Sequence, residues 1–298
     1  IANIRFETMI AIVPAQKNMS CNAFLKPLWL IIECTGIIYL IGGCFMENKK
    51  LLEEIRSYWN NRADGYSRVN QEELHSEQKE KWKEVLLEQL PKKEKDQVQI
   101  LDIGTGPGFF AILLAEEGYQ VTAVDYTEQM LQEAKSNAAD LADQISFKRM
   151  DAQNLEFPKE TFDYIVTRNV TWNLEHPKRA YREWQRVLKP GGKILNFDAN
   201  WYAYLYDDKL KLGYEQDRQR AKEEQVEDYY EGTDIAWMEN IAKQVPLSPL
   251  KRPKWDLDVL KKIGFDCWAD ETIGERVLSD AEKINYQSTP VFMVCAVK

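Results

Sequence analysis

Val98-Gln99-Ile100-Leu101-Asp102-Ile103-Gly104-Thr105-Gly106-Pro107-Gly108 is the stretch that decides the fold. A short apolar run ends in three glycines spaced two apart, and the helix-like run Phe109–Glu117 follows at once. A strand that stops in a glycine turn before a helix N-terminus lets a ligand approach the backbone closely. A glycine turn also suits any tight strand-to-helix connection, so the chain that follows carries the reading.

Beyond residue 98, strand-like and helix-like segments alternate. Phe109–Glu117 reads as a helix stopped at Gly118, and Val121–Val124 as a second strand ending at Asp125. Thr127 opens a helix carrying Met130, Ala134 and Ala138 on one face. Ile145–Met150, Phe162–Thr167 and Lys193–Phe197 read as three more strands, with a helix over Pro177–Leu188 and a turn at Pro190-Gly191-Gly192. This rhythm predicts a parallel sheet covered on both faces.

Either side of this region the pattern differs. Residues 47–90 are charged and helical, with a solvated loop from Pro91 to Asp96 closing the lid region 47–97: Leu51, Leu52, Ile55, Tyr58 and Trp59 recur at helical spacing, as do Trp82, Val85, Leu86, Leu87 and Leu90. Asn60–Tyr66 reads as a break between the two helices. Residues 200–256 are rich in aromatic and charged side chains and read as an inserted cap, helical over Asp207–Tyr230. Residues 257–298 return to the sheet, with a helix over Asp256–Ile263 and strands at Phe265–Ala269 and Val291–Val297.

In an open α/β sheet, ligands bind beyond the carboxyl ends of the strands. Asp102 and the glycine turn, Asp125, Asp151, and Arg168-Asn169 all fall at such ends. Asp125 lies 21 positions past Gly104, the separation at which a carboxylate accepts both hydroxyls of a ribose lying on the turn. A dinucleotide site requires G-x-G-x-x-G, whereas here Phe109 holds the third slot and the glycines read G-x-G-x-G. No P-loop Lys-Ser/Thr follows. An Asp at the mouth of the turn repels phosphate and attracts a cation, which points to a ribose-bearing, phosphate-free cofactor.

These residues resemble a known family. Leu101–Gly108, Asp125, Asp151-Ala152, Phe162-Asp163 and Arg186-Val187-Leu188-Lys189-Pro190-Gly191-Gly192 look like class I S-adenosylmethionine-dependent methyltransferases, of the type 11 methyltransferase domain. The likeness covers residues 50–198 well and the C-terminal strands loosely. It implies a three-layer, Rossmann-like α/β fold with a seven-stranded sheet in the order 3-2-1-4-5-7-6, strand 7 antiparallel, under an N-terminal helical lid. It also implies roles. The turn at Asp102, Gly104, Thr105 and Gly106 passes the methionine part of S-adenosyl-L-methionine, and Asp125 takes the ribose hydroxyls. Tyr126 packs on the adenine with Met130 nearby, and Asp151 accepts the adenine amino group beside the Ala152 amide. Arg168 and Asn169 offer backbone carbonyls to the methionine amine, and Tyr66 belongs to the lid.

Methyl transfer from a sulfonium is an in-line displacement whose leaving group needs no protonation, so positioning in a dry site supplies much of the catalysis. A base is needed only where the acceptor must first lose a proton. His75 reads as a surface residue and His176 as the entry to a helix. Trp172, Asn173, Asn200, Trp201 and Tyr202 follow strands 4 and 5 and suit a flat or cationic small acceptor, with Asp198 as base or anchor. The same aromatics also serve to pack the cap onto the sheet.

The net charge of −9, with Lys and Arg scattered, argues against a nucleic acid partner, which requires a basic stripe. Residues 1–45 are set apart: they hold three of the five cysteines and an apolar run from Pro27 to Phe45 interrupted by Glu33. A membrane anchor, a lipoprotein leader ending at Cys44, and a non-native segment ahead of a start at Met46 are the three readings, the last being the one adopted. For residues 46–298 no membrane association is expected. Cys267 and Cys295 are too few and too far apart for a disulfide framework or a zinc site, as befits a cytoplasmic protein. The expectation is a methyltransferase domain over 46–298 (lid 47–97, core 98–199, cap 200–256, final strands 257–298) acting on a small molecule. An NAD-dependent oxidoreductase and a non-catalytic S-adenosylmethionine-binding protein are the alternatives. Oligomeric state is not legible.

Overall fold

The computed structural model describes residues 26–34, 37–45, 50–227 and 233–298. Met46 and the cap residues Tyr229 and Tyr230 fall outside them. Two units follow one another along the chain, residues 1–48 and 49–298. In the first, Lys26–Cys34 (β1) and Ile37–Phe45 (β2) pair antiparallel, with Lys26 opposite Phe45 and Cys34 opposite Ile37. The apolar run is thus a strand pair, and among the described residues no helix is long and apolar enough to cross a membrane.

The second unit is built on seven strands: Ile100–Ile103 (β3), Val121–Asp125 (β4), Ile145–Arg149 (β5), Phe162–Arg168 (β6), Leu188–Asp198 (β7), Asp266–Asp270 (β8) and Phe292–Val297 (β9). Their spatial order is β5-β4-β3-β6-β7-β9-β8, which, counted within the sheet, is 3-2-1-4-5-7-6. β9 runs antiparallel to both neighbours, placing Leu195 opposite Cys295 and Cys267 opposite Ala296. The Pro190-Gly191-Gly192 turn lies inside β7, where the register to β6 shifts and Gly191 N–H donates to the Lys298 carbonyl.

Alternation along the strands sorts the core into two layers. Ile100, Tyr164, Val166, Leu195, Phe197 and Cys295 face one way, against Gln78–Glu88 (α2), Phe109–Glu116 (α3) and, further on, Ile273–Val277 (α9). Leu101, Ile103, Ile165, Ile194 and Val294 face the other, against Pro177–Val187 (α5) and Lys254–Lys262 (α8). Glu128–Ala138 (α4) follows β4 with Met130, Leu131, Ala134 and Ala138 buried; Thr127 holds the N-cap position, but its side chain makes no capping hydrogen bond to the helix.

The N-terminal region departs from the expectation. Lys50–Leu74 (α1) is one helix of 25 residues that passes through Asn60–Tyr66 without a break. Gly65 alone costs about 1 kcal/mol in a helix, and tertiary packing of Ile55, Tyr58 and Ala63, all buried, outweighs it. Ile55 and Tyr58 join Trp172 and the cap helix Ile235–Ala242 (α7) in a third, smaller core, where Tyr58 meets Trp237 edge-on at 5.5 Å. The cap's other helix, Asp208–Glu223 (α6), is opened by Asp207, whose carboxylate accepts from Lys209 and Leu210 N–H. It packs on Asp280–Asn285 (α10), which opens with a Ser279/Glu282 capping box.

Candidate functional site

The carboxyl ends of β3, β4, β5 and β6, roofed by α1, enclose a cavity of about 790 Å³ of empty space, part of it open to solvent. Gly104 and Gly106 form its floor, and Asp125, Tyr126, Met130, Asp151 and Ala152 one wall. Arg168 and Asn169 form the opposite wall. Tyr66 closes the cavity from α1. All ten come from the set the sequence singled out.

The glycine turn is held by two carboxylates with different duties. Asp102 is 2% exposed, and its Oδ2 accepts from Thr105 Oγ1 at 2.6 Å and Ala111 N–H at 3.1 Å. It ties the turn to the first turn of α3, and burial pushes its carboxyl up to about 7. Asp102 and Thr105 do not line the main cavity; they border a narrower recess beside it. Asp125 does face the cavity. Its Oδ2 accepts from Gly106 N–H at 3.0 Å and its Oδ1 from Thr127 N–H at 2.8 Å, with the Thr127 hydroxyl and Tyr126 N–H adding weaker contacts and no ion-pair partner among the described residues. Burial raises its carboxyl. Gly104 has φ +65°, and a Cβ there would stand 2.3 Å from Val170 Cγ2, so only glycine fits the turn.

Opposite, Arg168 is no free cation. Its guanidinium forks onto Glu73 at 2.7 and 2.9 Å and lies over the Phe109 ring at 4.5 Å. Arg56, the other basic side chain on the cavity, is tied to Glu53 at 2.6 Å. Asp151 uses Oδ1 for Gln153, leaving Oδ2 without a partner among the described residues. Asn173 Oδ1, also on this wall, is buried and unpaired. A cavity with two carboxylates lacking an ion-pair partner, an orphan amide oxygen and no unpaired cation among the described residues suits a cationic ligand and disfavours a phosphate.

A family model described as "Methyltransferase domain" matches residues 101–196. The Coxiella burnetii ubiquinone biosynthesis O-methyltransferase is 31% identical over 109 residues, 36% of this chain and 47% of its own. A Rickettsia massiliae ubiquinone/menaquinone biosynthesis C-methyltransferase is 31% identical over 46% of this chain and 54% of its own. The chain thus spans about half the length of the curated relatives it matches. In structure it is similar to Haemonchus contortus phosphoethanolamine N-methyltransferase 2, solved with S-adenosyl-L-methionine (TM-score 0.56, 18% identity, 88% of this chain and 63% of that one). A Methanococcus maripaludis chain described as an S-adenosyl-L-methionine-dependent methyltransferase gives a TM-score of 0.51 at 22% identity, over 85% and 97%. Residues 101–196 thus carry a methyltransferase domain.

In this methyltransferase domain the acceptor candidates do not gather in one place. Asn173 lines the main cavity, and Trp201 a second one behind Tyr66. Trp172 and Tyr202 lean on each other, ring centroids 5.0 Å apart, within the small core beneath α1 and α7. Asn200 exchanges two hydrogen bonds with the Arg252 backbone. Asp198 is wholly buried: Oδ2 accepts from Arg252 Nη1 at 2.7 Å and Trp172 N–H at 2.9 Å, Oδ1 from Ala199 N–H and Trp201 Nε1. The carboxylate is occupied by structural donors and lines neither cavity, a placement that ties down the β7 end and does not suit the base or anchor role expected of it. His75 is exposed at the end of α1, and His176 precedes α5 without capping it through its side chain.

Leu52, Ile55, Arg56 and Trp59 of α1 also line the cavity, as do Met150, Gln153 and Leu174. The helical spacing of the α1 residues was visible, but their depth over the glycine turn depends on the unbroken run of α1. Among the described residues no cluster of His, Cys, Asp or Glu is arranged to hold a metal ion.

Proposed function

We propose that this chain is an S-adenosylmethionine-dependent methyltransferase acting on a small-molecule acceptor. The observation that carries the reading is Asp125, a cavity-facing carboxylate bonded to Gly106 N–H of the turn, with no ion-pair partner among the described residues. Asp125 would hold the ribose hydroxyls, and Asp151 with Ala152 the adenine amino edge, while Tyr126 and Met130 pack the ring. The Gly104–Gly106 backbone and the Asn169 carbonyl would hold the methionine end. When bound, the cofactor supplies a methyl group on a positively charged sulfur. The chain's own part is to fix that end against the glycine turn and exclude water with Tyr66 and Trp59 of α1.

The relatives named above methylate oxygen, carbon or nitrogen, and so do not choose the acceptor. An NAD-dependent reading is disfavoured by the tied state of Arg56 and Arg168, which leaves no cation on the cavity for a pyrophosphate. Calorimetry with S-adenosylhomocysteine and with NAD separates the two: the first should bind and the second should not. Transfer of label from S-adenosylmethionine to a component of a metabolite extract then tests catalysis against a purely binding role. Binding of NAD without S-adenosylhomocysteine would overturn the proposal.

A further inference from the structure

Behind Tyr66, Arg168 and Asn169, which border both spaces, lies a second cavity of about 540 Å³. Its aromatic walls are Trp82, Trp201 and Tyr286, the last two meeting edge-on at 5.1 Å. Trp82 is 2% exposed, and its Nε1 is buried without a partner. Two carboxylates reach this space. Glu73 is saturated, by the Arg168 fork and by Asn70 Nδ2 at 2.8 Å. Glu282 is not: Oε2 takes Ser279 and Gln78, while Oε1 has no partner among the described residues. Because the Arg168 guanidinium is hydrogen-bonded to Glu73 and acts on Glu282 only through space, Glu282 is the carboxylate in the chamber without a direct ion-pair partner among the described residues.

Resting on the methyltransferase reading, we propose that this second cavity is the acceptor chamber and that it takes a small aromatic amine, its ammonium group paired with Glu282. Aromatic faces around an unneutralised carboxylate favour a cation attached to a flat apolar body. An acidic acceptor would meet Glu282 without a counter-charge, and a neutral one would leave Oε1 unpaired in a desolvated place. Burial and the nearby Glu73 raise the Glu282 carboxyl, a cost that an ammonium partner removes. Apart from Arg168 and Asn169, the chamber's lining lies outside residues 101–196, so the likeness to quinone methyltransferases over that core does not extend to it.

The test uses the full chain saturated with S-adenosylhomocysteine and three probes of one shape: tyramine, 4-ethylphenol and 4-hydroxyphenylacetate. Tyramine should bind tightest and the carboxylate weakest, with about a tenfold span as for a desolvated charge-assisted contact. Glu282→Gln keeps an acceptor for Ser279 and should erase the tyramine advantage without moving S-adenosylhomocysteine affinity. Val69→Trp, which fills the chamber alone, should abolish binding of all three. Equal binding of the probes, preference for the carboxylate, or a tyramine advantage that survives Glu282→Gln overturns the proposal while the cofactor reading stands. Failure of S-adenosylhomocysteine itself to bind overturns both.

Discussion

Asp125 and Asp198 each end a strand of the same sheet, β4 and β7, and their fates are opposite. Asp125 is held by turn residues next to it, with no cation among its hydrogen-bond partners, and faces the cavity. Asp198 is sealed by four donors, one of them an arginine 54 residues further along the chain. Arg252 also forks onto Asp256, which accepts from Tyr181 OH, and that hydroxyl accepts from Asn196 on β7. A strand-end carboxylate is therefore open to a ligand only where no later segment brings it a cation. The difference lies in tertiary structure.

The largest effect should come from breaking the closed side of this pair. Arg252→Met leaves Asp198 and Asp256 buried without their cation and should cost about 3–5 kcal/mol of stability, seen in urea unfolding. S-adenosylhomocysteine affinity measured well below the melting point should hold. A loss of affinity at unchanged stability would put the Asp198 network inside the site and break the contrast. Asp102 is an intermediate case, buried like Asp198 but given no cation among its hydrogen-bond partners. Its folded carboxyl sits at about 7, against about 3.9 in the unfolded chain. Between those values the folded state binds the extra proton. The group's contribution to stability is therefore complete below about pH 4 and lost as pH rises through about 7, at no more than about 1.4 kcal/mol per pH unit. Asp102→Asn should flatten that fall in a series of pH-dependent melts; an unchanged slope would mean the loss arises elsewhere.

The sheet was legible because its signals are local: glycine turns, strand-length apolar runs and an Asp or Arg in phase with each strand end. The cavity-lining residues at the strand ends followed because their backbone positions alone place them at the carboxyl ends. What escaped depends on long-range closure. Asn60–Tyr66 looks like a break by composition, yet α1 runs through it because Ile55, Tyr58 and Ala63 are buried. Trp172 and Tyr202 carry the residue types of an acceptor pocket but pack beneath α7, whose position no spacing reveals. Glu282 carried no signal in the sequence, and only the fold brings it to one cavity with Trp201 and Tyr286.

On the open side of the comparison, Asp125→Ala should weaken S-adenosylhomocysteine binding at least about tenfold, near 1.4 kcal/mol. Asp198→Asn should leave it unchanged while lowering the melting temperature. If the two variants exchange these effects, the assignment of open and closed carboxylates is reversed. The smallest effect separates the ring of Tyr126 from its hydroxyl. That hydroxyl donates to Glu53 of α1 at 2.7 Å, which holds the Glu53 carboxyl below its usual range. Glu53 remains 41% exposed in its side chain, so the bond is worth only about 0.5 kcal/mol. Tyr126→Phe keeps the apolar face beside Met130 and should change affinity less than about twofold, whereas Tyr126→Ala removes that face and should weaken binding severalfold more. Amide exchange along α1 should quicken in the Phe variant, because one of the ties between the roof and the β4 end is gone. If instead the Phe variant loses affinity as the Ala variant does, the hydroxyl and not the ring meets the ligand, and the open wall is wider than Asp125 and Asp151.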